Sequence, residues 1–197
     1  MNIDGYTRLA AVVAKPIKHS ISPFIHNLAF ENTGINGVYL AWEIAEEDLA
    51  VTMENVKRYD MFGLNISMPY KQAVIPYLDQ LTKSAQLIGA VNTIIPREGQ
   101  LIGHNTDGIG FFKSLDKLAG FQVQGKVMTV LGGGGAATAI IAQAALDGAA
   151  KIFVFSRSQS IERHTATAQK ISKETQVPIE VLPLEDSSLL QEKIFQS

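Results

Sequence analysis

Short, nearly continuous apolar runs alternate along this chain with longer segments whose apolar residues recur every three or four positions. Leu9–Val13, Val38–Trp42, Phe62–Ser67, Ala90–Ile95 and Gln100–His104 read as strands, the last two joined by a turn through Gly99. Ser22-Pro23 opens a helix that continues through Phe24–Phe30 to Gly34, with Ser22 expected as its N-cap and the proline in its first turn. Glu46–Lys57 predicts an amphipathic helix whose acidic start suits the helix dipole, and Tyr70–Leu78 and Thr82–Ile88 predict short helices. Asp107–Ala119 predicts a further helix, closed by Gly120.

From Lys126 an apolar run rich in β-formers collapses at Leu131 into four consecutive glycines, Gly132 to Gly135, and then into an alanine-rich stretch with no helix breaker before Gly148. Strand, tight turn, helix is the expected sequence of elements. Lys151–Phe155 supplies a second strand, Pro178–Leu182 a third, and Asp186–Lys193 a short helix. The predicted fold class is therefore α/β: an N-terminal, mainly parallel α/β domain over residues 1–107, a connecting helix and linker over 108–125, and an incomplete Rossmann-like domain over 126–197. A doubly wound nucleotide domain has two halves and this one supplies about one, so the chain is expected to be a fragment or to draw its last strands from elsewhere.

The glycine turn changes the picture from architecture to chemistry. Glycines let a pyrophosphate approach the backbone, where free N–H groups and the positive end of the following helix favour an anion. In the frame Gly132-x-Gly134-x-x-Ala137, with Gly133, Gly135 and Ala136 between, the stretch matches the dinucleotide fingerprint with alanine in third place. A linker or ordinary βα turn is the alternative for a bare glycine match, but the strand that follows sets these glycines in the first turn of a βαβ unit. At the end of that second strand, where an acid would grip the ribose 2′-hydroxyl of NAD, the chain has Ser156-Arg157-Ser158. Arg157 can pair with a 2′-phosphate and no carboxylate is expected beside it, so NADP is favoured; otherwise Arg157 is a solvated cation.

Composition narrows the partners. Lys+Arg 17 against Asp+Glu 19 gives a net charge of −2, which points to neither nucleic acid nor an anionic membrane, and the 46% hydrophobic content supplies a packed core. The absence of cysteine excludes disulfides and thiolate metal sites, and no metal is expected. Without a signal-like start or a membrane-length apolar run, a cytoplasmic location is expected. A homodimer stays open.

Three polar clusters fall at predicted strand ends, where open α/β sheets bind ligands. Ser20 and Ser22 can bind a carboxylate, although Ser22 alone reads as an N-cap. Asn65 and Ser67 share one side of their strand, and Lys71 leaves the sheet beyond Pro69; a single lysine there is more often a surface charge. Asn92 joins Asn105-Thr106-Asp107, where Asp107 before Gly108 is ordinarily an N-cap.

Taken in order, Ser20-Ile-Ser22-Pro23 with His26-Asn27, Asn65-Ile-Ser67-Met-Pro-Tyr-Lys71, Gly89-Ala-Val-Asn92-Thr93, Gly103-His-Asn-Thr-Asp107-Gly108 and Gly132 to Ala137 closely resemble the shikimate dehydrogenase family over essentially the whole chain. The resemblance implies NADP-dependent reversible reduction of 3-dehydroshikimate to shikimate, in aromatic amino-acid biosynthesis. It also implies the roles: residues 1–107 as the substrate-binding domain and 126–197 as the dinucleotide-binding one, Lys71 and Asp107 as the acid/base pair in contact with substrate, Ser20 and Ser22 on the substrate carboxylate, Asn92 and Ser67 on its hydroxyls, Asn65 as a further substrate-binding residue, and the glycine turn with Ser156, Arg157 and Ser158 on the cofactor. Family members continue into the rest of the nucleotide domain, so the chain is expected to be truncated at its C-terminus. A shikimate-binding module without turnover and an NAD-dependent quinate/shikimate relative are the alternative readings.

Overall fold

The computed structural model describes residues 3–196. The chain folds as two compact units, Met1–Asn105 and Thr106–Ser197.

The first unit is built on a six-stranded sheet. Its strands are β1 (Arg8–Ala14), β2 (Gly37–Glu43), β3 (Gly63–Ile66), β4 (Gln80–Leu81), β5 (Thr93–Arg97) and β6 (Gln100–His104), in the order β2-β1-β3-β5-β6-β4. β1 runs parallel to β2 and β3, and β4 parallel to β6, while β5 is antiparallel to both its neighbours. The sheet is thus mainly parallel with one reversed strand, the expected β5–β6 hairpin through Gly99, which sits at a positive φ of 78°. β1 is buried on both faces and its alternation sorts the core: Ala11 and Val13 join Met53, Val56, Ile66 and Leu101 on one side, and Ala10, Val12 and Ala14 join Ile17 and Tyr39 on the other.

Helices cover those faces. α2 (Leu49–Arg58) buries Leu49, Thr52, Met53 and Val56, the three- and four-residue spacing of one apolar stripe. The acidic stretch Glu46–Asp48 forms a separate 3-10 turn before it. α1 (Ser22–Thr33) buries no residue completely and is fastened instead by Asn27, whose amide donates to the Pro23 and Tyr39 carbonyls at 2.8 and 2.9 Å and accepts from the Tyr39 N–H at 2.8 Å. Its N-cap is Ile21 rather than Ser22. No side chain of the cap residue bonds the helix start, and Ser20 Oγ accepts the Ser22 N–H at 3.2 Å. The region expected as helix over Tyr70–Leu78 is α3 (Tyr70–Ala73) followed by a 3-10 turn with Pro76 inside it, and α4 (Lys83–Ile88) follows the short β4.

The second unit begins with α5 (Asp107–Ala119), capped by Thr106 rather than by Asp107, which is its first residue. This helix is not a free link. Gly108 lies so close to α6 (Gly135–Leu146) that a Cβ there would collide with the Ala139 carbonyl oxygen, so α5 belongs to the packing of the second unit. β7 (Val127–Leu131), β8 (Lys151–Ser156) and β9 (Ile179–Pro183) form a parallel three-stranded sheet in that order. α7 (Ile161–Thr175), absent from the expected elements, joins β8 to β9 and buries Ala168 and Ile171; α8 (Ser187–Ile194) ends the described fold. No helix among the described residues is long and apolar enough to cross a membrane.

Candidate functional site

In the first unit the chain returns repeatedly to one end of the sheet. The segments after β1, β3 and β6 and the segment before β5 all lie there, which follows from β5 running against the others. Their backbones interlock: Ser67 N–H donates to Val13 at 2.9 Å, Ile66 N–H to Asn92 at 2.8 Å, Asn92 N–H to His104 at 3.0 Å and Val91 N–H to Lys71 at 2.8 Å. Ser67, Lys71 and Asn92 are therefore brought together, with Ser20 and Ser22 following β1.

Lys71 is positioned by its neighbour. Tyr70 is buried and its hydroxyl donates to the Ile44 carbonyl at 2.7 Å, which nails the first turn of α3 in place and leaves Lys71 half-buried beside it. Asn92 is buried and its Oδ1 accepts the Thr93 hydroxyl at 2.8 Å. Asn105, also buried, donates to the Ala90 carbonyl at 3.1 Å.

Asn65 has a different setting. Its Oδ1 accepts the Tyr39 hydroxyl at 2.6 Å, and its amide donates to Thr93 Oγ1 at 3.2 Å and to the Asn92 carbonyl at 3.3 Å. It thus belongs to a polar chain crossing β2, β3 and β5, beside a cavity of about 170 Å³. Tyr39, which sequence reading did not single out, closes the chain: burial pushes its hydroxyl well up, so it stays a donor, and His26 stacks on its ring at 4.2 Å.

Asp107 belongs to the second unit, half-buried in the first turn of α5. The glycine turn is in the same unit. Gly132 takes a φ of +96° and donates its N–H to the Phe155 carbonyl at 2.7 Å, which turns the chain sharply away from β7. Gly134 caps α6 with extended backbone, and a Cβ on Gly134 or Gly135 would find no neighbouring atom within 4 Å. Open space over the first turn of a helix, with Ala136 exposed beside it, fits a pyrophosphate.

Gly133 serves packing. A Cβ there would come within 2.5 Å of the His164 ring, which fills the space from α7. His164 Nε2 lies 3.2 Å from Arg163 Nη2, which can only donate, so the proton sits on Nδ1 and is given to Ser156 Oγ at 2.7 Å. Burial first, and the Arg163 charge second, lower the His164 pKa and so favour the neutral ring. Ser156 is consequently turned inward, 1% exposed, with its hydroxyl also donating to the Arg157 carbonyl at 3.3 Å. Arg157 and Ser158 are exposed.

One expectation is corrected here. A carboxylate does stand beside this pair: Glu185 Oε1 accepts the Ser158 N–H at 3.1 Å. It comes from the far end of β9, a distance in sequence at which no local motif signals it. A cavity of about 600 Å³ along α5 and α6 is lined by none of the candidate residues.

Residues 12–94 match the shikimate dehydrogenase substrate binding domain family. Over all 197 residues the chain is 74% identical to the shikimate dehydrogenase (NADP(+)) of Streptococcus suis and 66% identical to that of Streptococcus mutans, covering 68% of each. Among solved structures, shikimate 5-dehydrogenase from Listeria monocytogenes in complex with shikimate and NAD superimposes with a TM-score of 0.94 at 40% identity, over 100% of this chain and 68% of that one. The Thermus thermophilus enzyme in complex with NADP(H) and shikimate gives 0.76 at 34% identity, over 91% of this chain and 64% of that one. The chain belongs to the shikimate dehydrogenase family.

Proposed function

We propose that this chain binds shikimate and NADP and carries the chemistry of their reaction, the reversible reduction of 3-dehydroshikimate to shikimate. The observation that carries the reading is the 74% identity, maintained along the whole chain, to a protein that bears this activity in its name. The clustering of Ser67, Lys71 and Asn92 at one sheet end in the first unit supports it. A cytoplasmic location accompanies the reading.

In the direction of reduction, hydride arriving at the ketone carbon builds negative charge on the oxygen. Lys71 donates a proton to that oxygen, and its backbone tether to Val91 holds the turn that presents the amine. Asp107 takes the complementary acid/base role and accepts a hydrogen bond from a substrate hydroxyl. Ser20 and Ser22 bind the substrate carboxylate through their hydroxyls, and Ser67 and Asn92 bind ring hydroxyls, with Asn65 holding the strands that carry them. NADP, when bound, supplies the hydride. The turn Gly132–Ala137 receives the pyrophosphate and Arg157 with Ser158 the 2′-phosphate, Ser156 supporting them from below.

Calorimetry and absorbance test this together. Shikimate binds the wild-type chain and loses affinity in Lys71→Ala and Asp107→Ala, and shikimate-dependent formation of NADPH falls steeply in both. Equal shikimate binding by wild type and both variants would remove the acid/base assignment.

A further inference from the structure

Beyond the last paired residues of β8 and β9, Ser156 and Pro183, the Leu184 N–H donates to the Ser156 carbonyl at 2.9 Å. That bond fixes the residue after it, Glu185, opposite Arg157 and Ser158, where its Oε1 takes the Ser158 N–H at 3.1 Å. The residue on the other side is fixed as well. Asp186 caps α8, its Oδ1 accepting the Leu189 N–H at 3.0 Å and the Ser188 hydroxyl at 2.7 Å. Glu185 is thus held between a strand bond and a helix cap. The Ser158 N–H foremost, then its own backbone N–H and, more weakly, the Arg157 charge, keep its carboxyl below the usual range. One donor available for a 2′-phosphate, the Ser158 N–H, already serves a carboxylate of this chain.

A phosphate dianion reaching Ser158 N–H must displace that carboxylate and then remain near its charge, whereas a ribose 2′-hydroxyl can donate to it. Granted that the second unit binds NADP, we propose that Glu185 is a specificity-determining residue for the cofactor's 2′ substituent, an internal occupant of the 2′-phosphate position that narrows the preference for NADP over NAD created by Arg157. The carboxylate arrives from the third strand, so the chain combines an arginine suited to NADP with an acid that works against it.

Adenosine 2′,5′-bisphosphate and 5′-AMP probe the adenosine half of the cofactor alone, and calorimetry of each against the whole chain reads the effect directly. Glu185→Gln keeps an oxygen that can accept the Ser158 N–H and removes the charge. It is expected to bind the bisphosphate about tenfold tighter than wild type, with AMP unchanged or weaker. Glu185→Ala moves the same way, and Arg157→Ala weakens the bisphosphate. If both Glu185 variants bind the two nucleotides as wild type does while Arg157→Ala still loses the bisphosphate, the role of Glu185 is overturned and NADP binding stands. Equal tightening of both nucleotides also overturns it. If wild type and every variant ignore both nucleotides, the role of Glu185 and the NADP-binding reading fall together.

Discussion

At the sheet end of the first unit the protein completes its own polar lattice: Tyr39 donates to Asn65, Asn65 to Thr93, Thr93 to Asn92, and Tyr70 to Ile44. At the glycine turn of the second unit it does the reverse, leaving Gly134 and Gly135 with nothing where side chains would stand. Side chains that must meet a small polyhydroxylated acid at fixed positions need neighbours that prevent them from moving, and those neighbours are buried donors and acceptors. A pyrophosphate is met by backbone, and backbone is available only where side chains are missing. The first arrangement couples the site to stability, while the second separates them.

Variants that pull on one side of this contrast should separate activity from folding, and the largest effect falls on activity. Lys71→Ala is expected to lower shikimate-dependent NADPH formation by roughly 10²- to 10⁴-fold while the melting temperature stays close to wild type. Tyr39→Phe removes the donor from the half-buried Asn65 oxygen, which should cost about 1–3 kcal/mol in urea denaturation. Gly133→Ala drives a methyl group into His164 and should cost roughly 1–3 kcal/mol, partly recovered in the double variant with His164→Ala. Gly134→Ala should cost under about 1 kcal/mol and act instead on NADP affinity. If Gly133→Ala and Gly134→Ala lowered stability equally, the distinction between packing glycine and ligand glycine would fail.

The smallest effect is on pH dependence. Burial lowers the pKa of His26 and His104 in the first unit, and burial with Arg163 lowers that of His164 in the second. A histidine whose native pKa lies below its unfolded value of 6.5 stabilises fully above that value. Its contribution declines as pH falls below, because the unfolded chain then binds the proton more readily. Denaturation midpoints should therefore drop below about pH 6.5, and His164→Asn should flatten part of the slope.

Much of this was legible in the order of residues. The glycine turn between two strands, the apolar stripe Leu49, Met53 and Val56, and the polar clusters at strand ends all carry local signals. The misplaced details are of two physical kinds. Ser22 and Asp107 were expected as caps and each stands as the first residue of its helix, with Ile21 and Thr106 in the cap positions and no side-chain cap bond at either, so residue type alone could not place the boundary. Ser156 and Glu185 depend on partners 8 and 27 residues away, His164 and Ser158, and no periodicity announces such a pairing. β8 is buried from Ile152 through Ser156 on both faces, so alternation could not say which way Ser156 points. α7 is mostly polar, and its sparse positions Ile161, Ala168 and Ile171 were its one helical signal.

The thread from Tyr39 through Asn65 to Thr93 also polices how the strands may pair. Asn65 stands directly opposite Thr93 in the β3–β5 ladder. Sliding β5 by one residue would bring Ile94 or Asn92 to that place and swing the threonine to the other face, so the asparagine amide would meet hydrocarbon or lose its hydroxyl partner. An apolar sheet could tolerate such a slip, whereas here each wrong alignment strands a half-buried proton donor, and the one reversed strand of the sheet has a single comfortable place to lie.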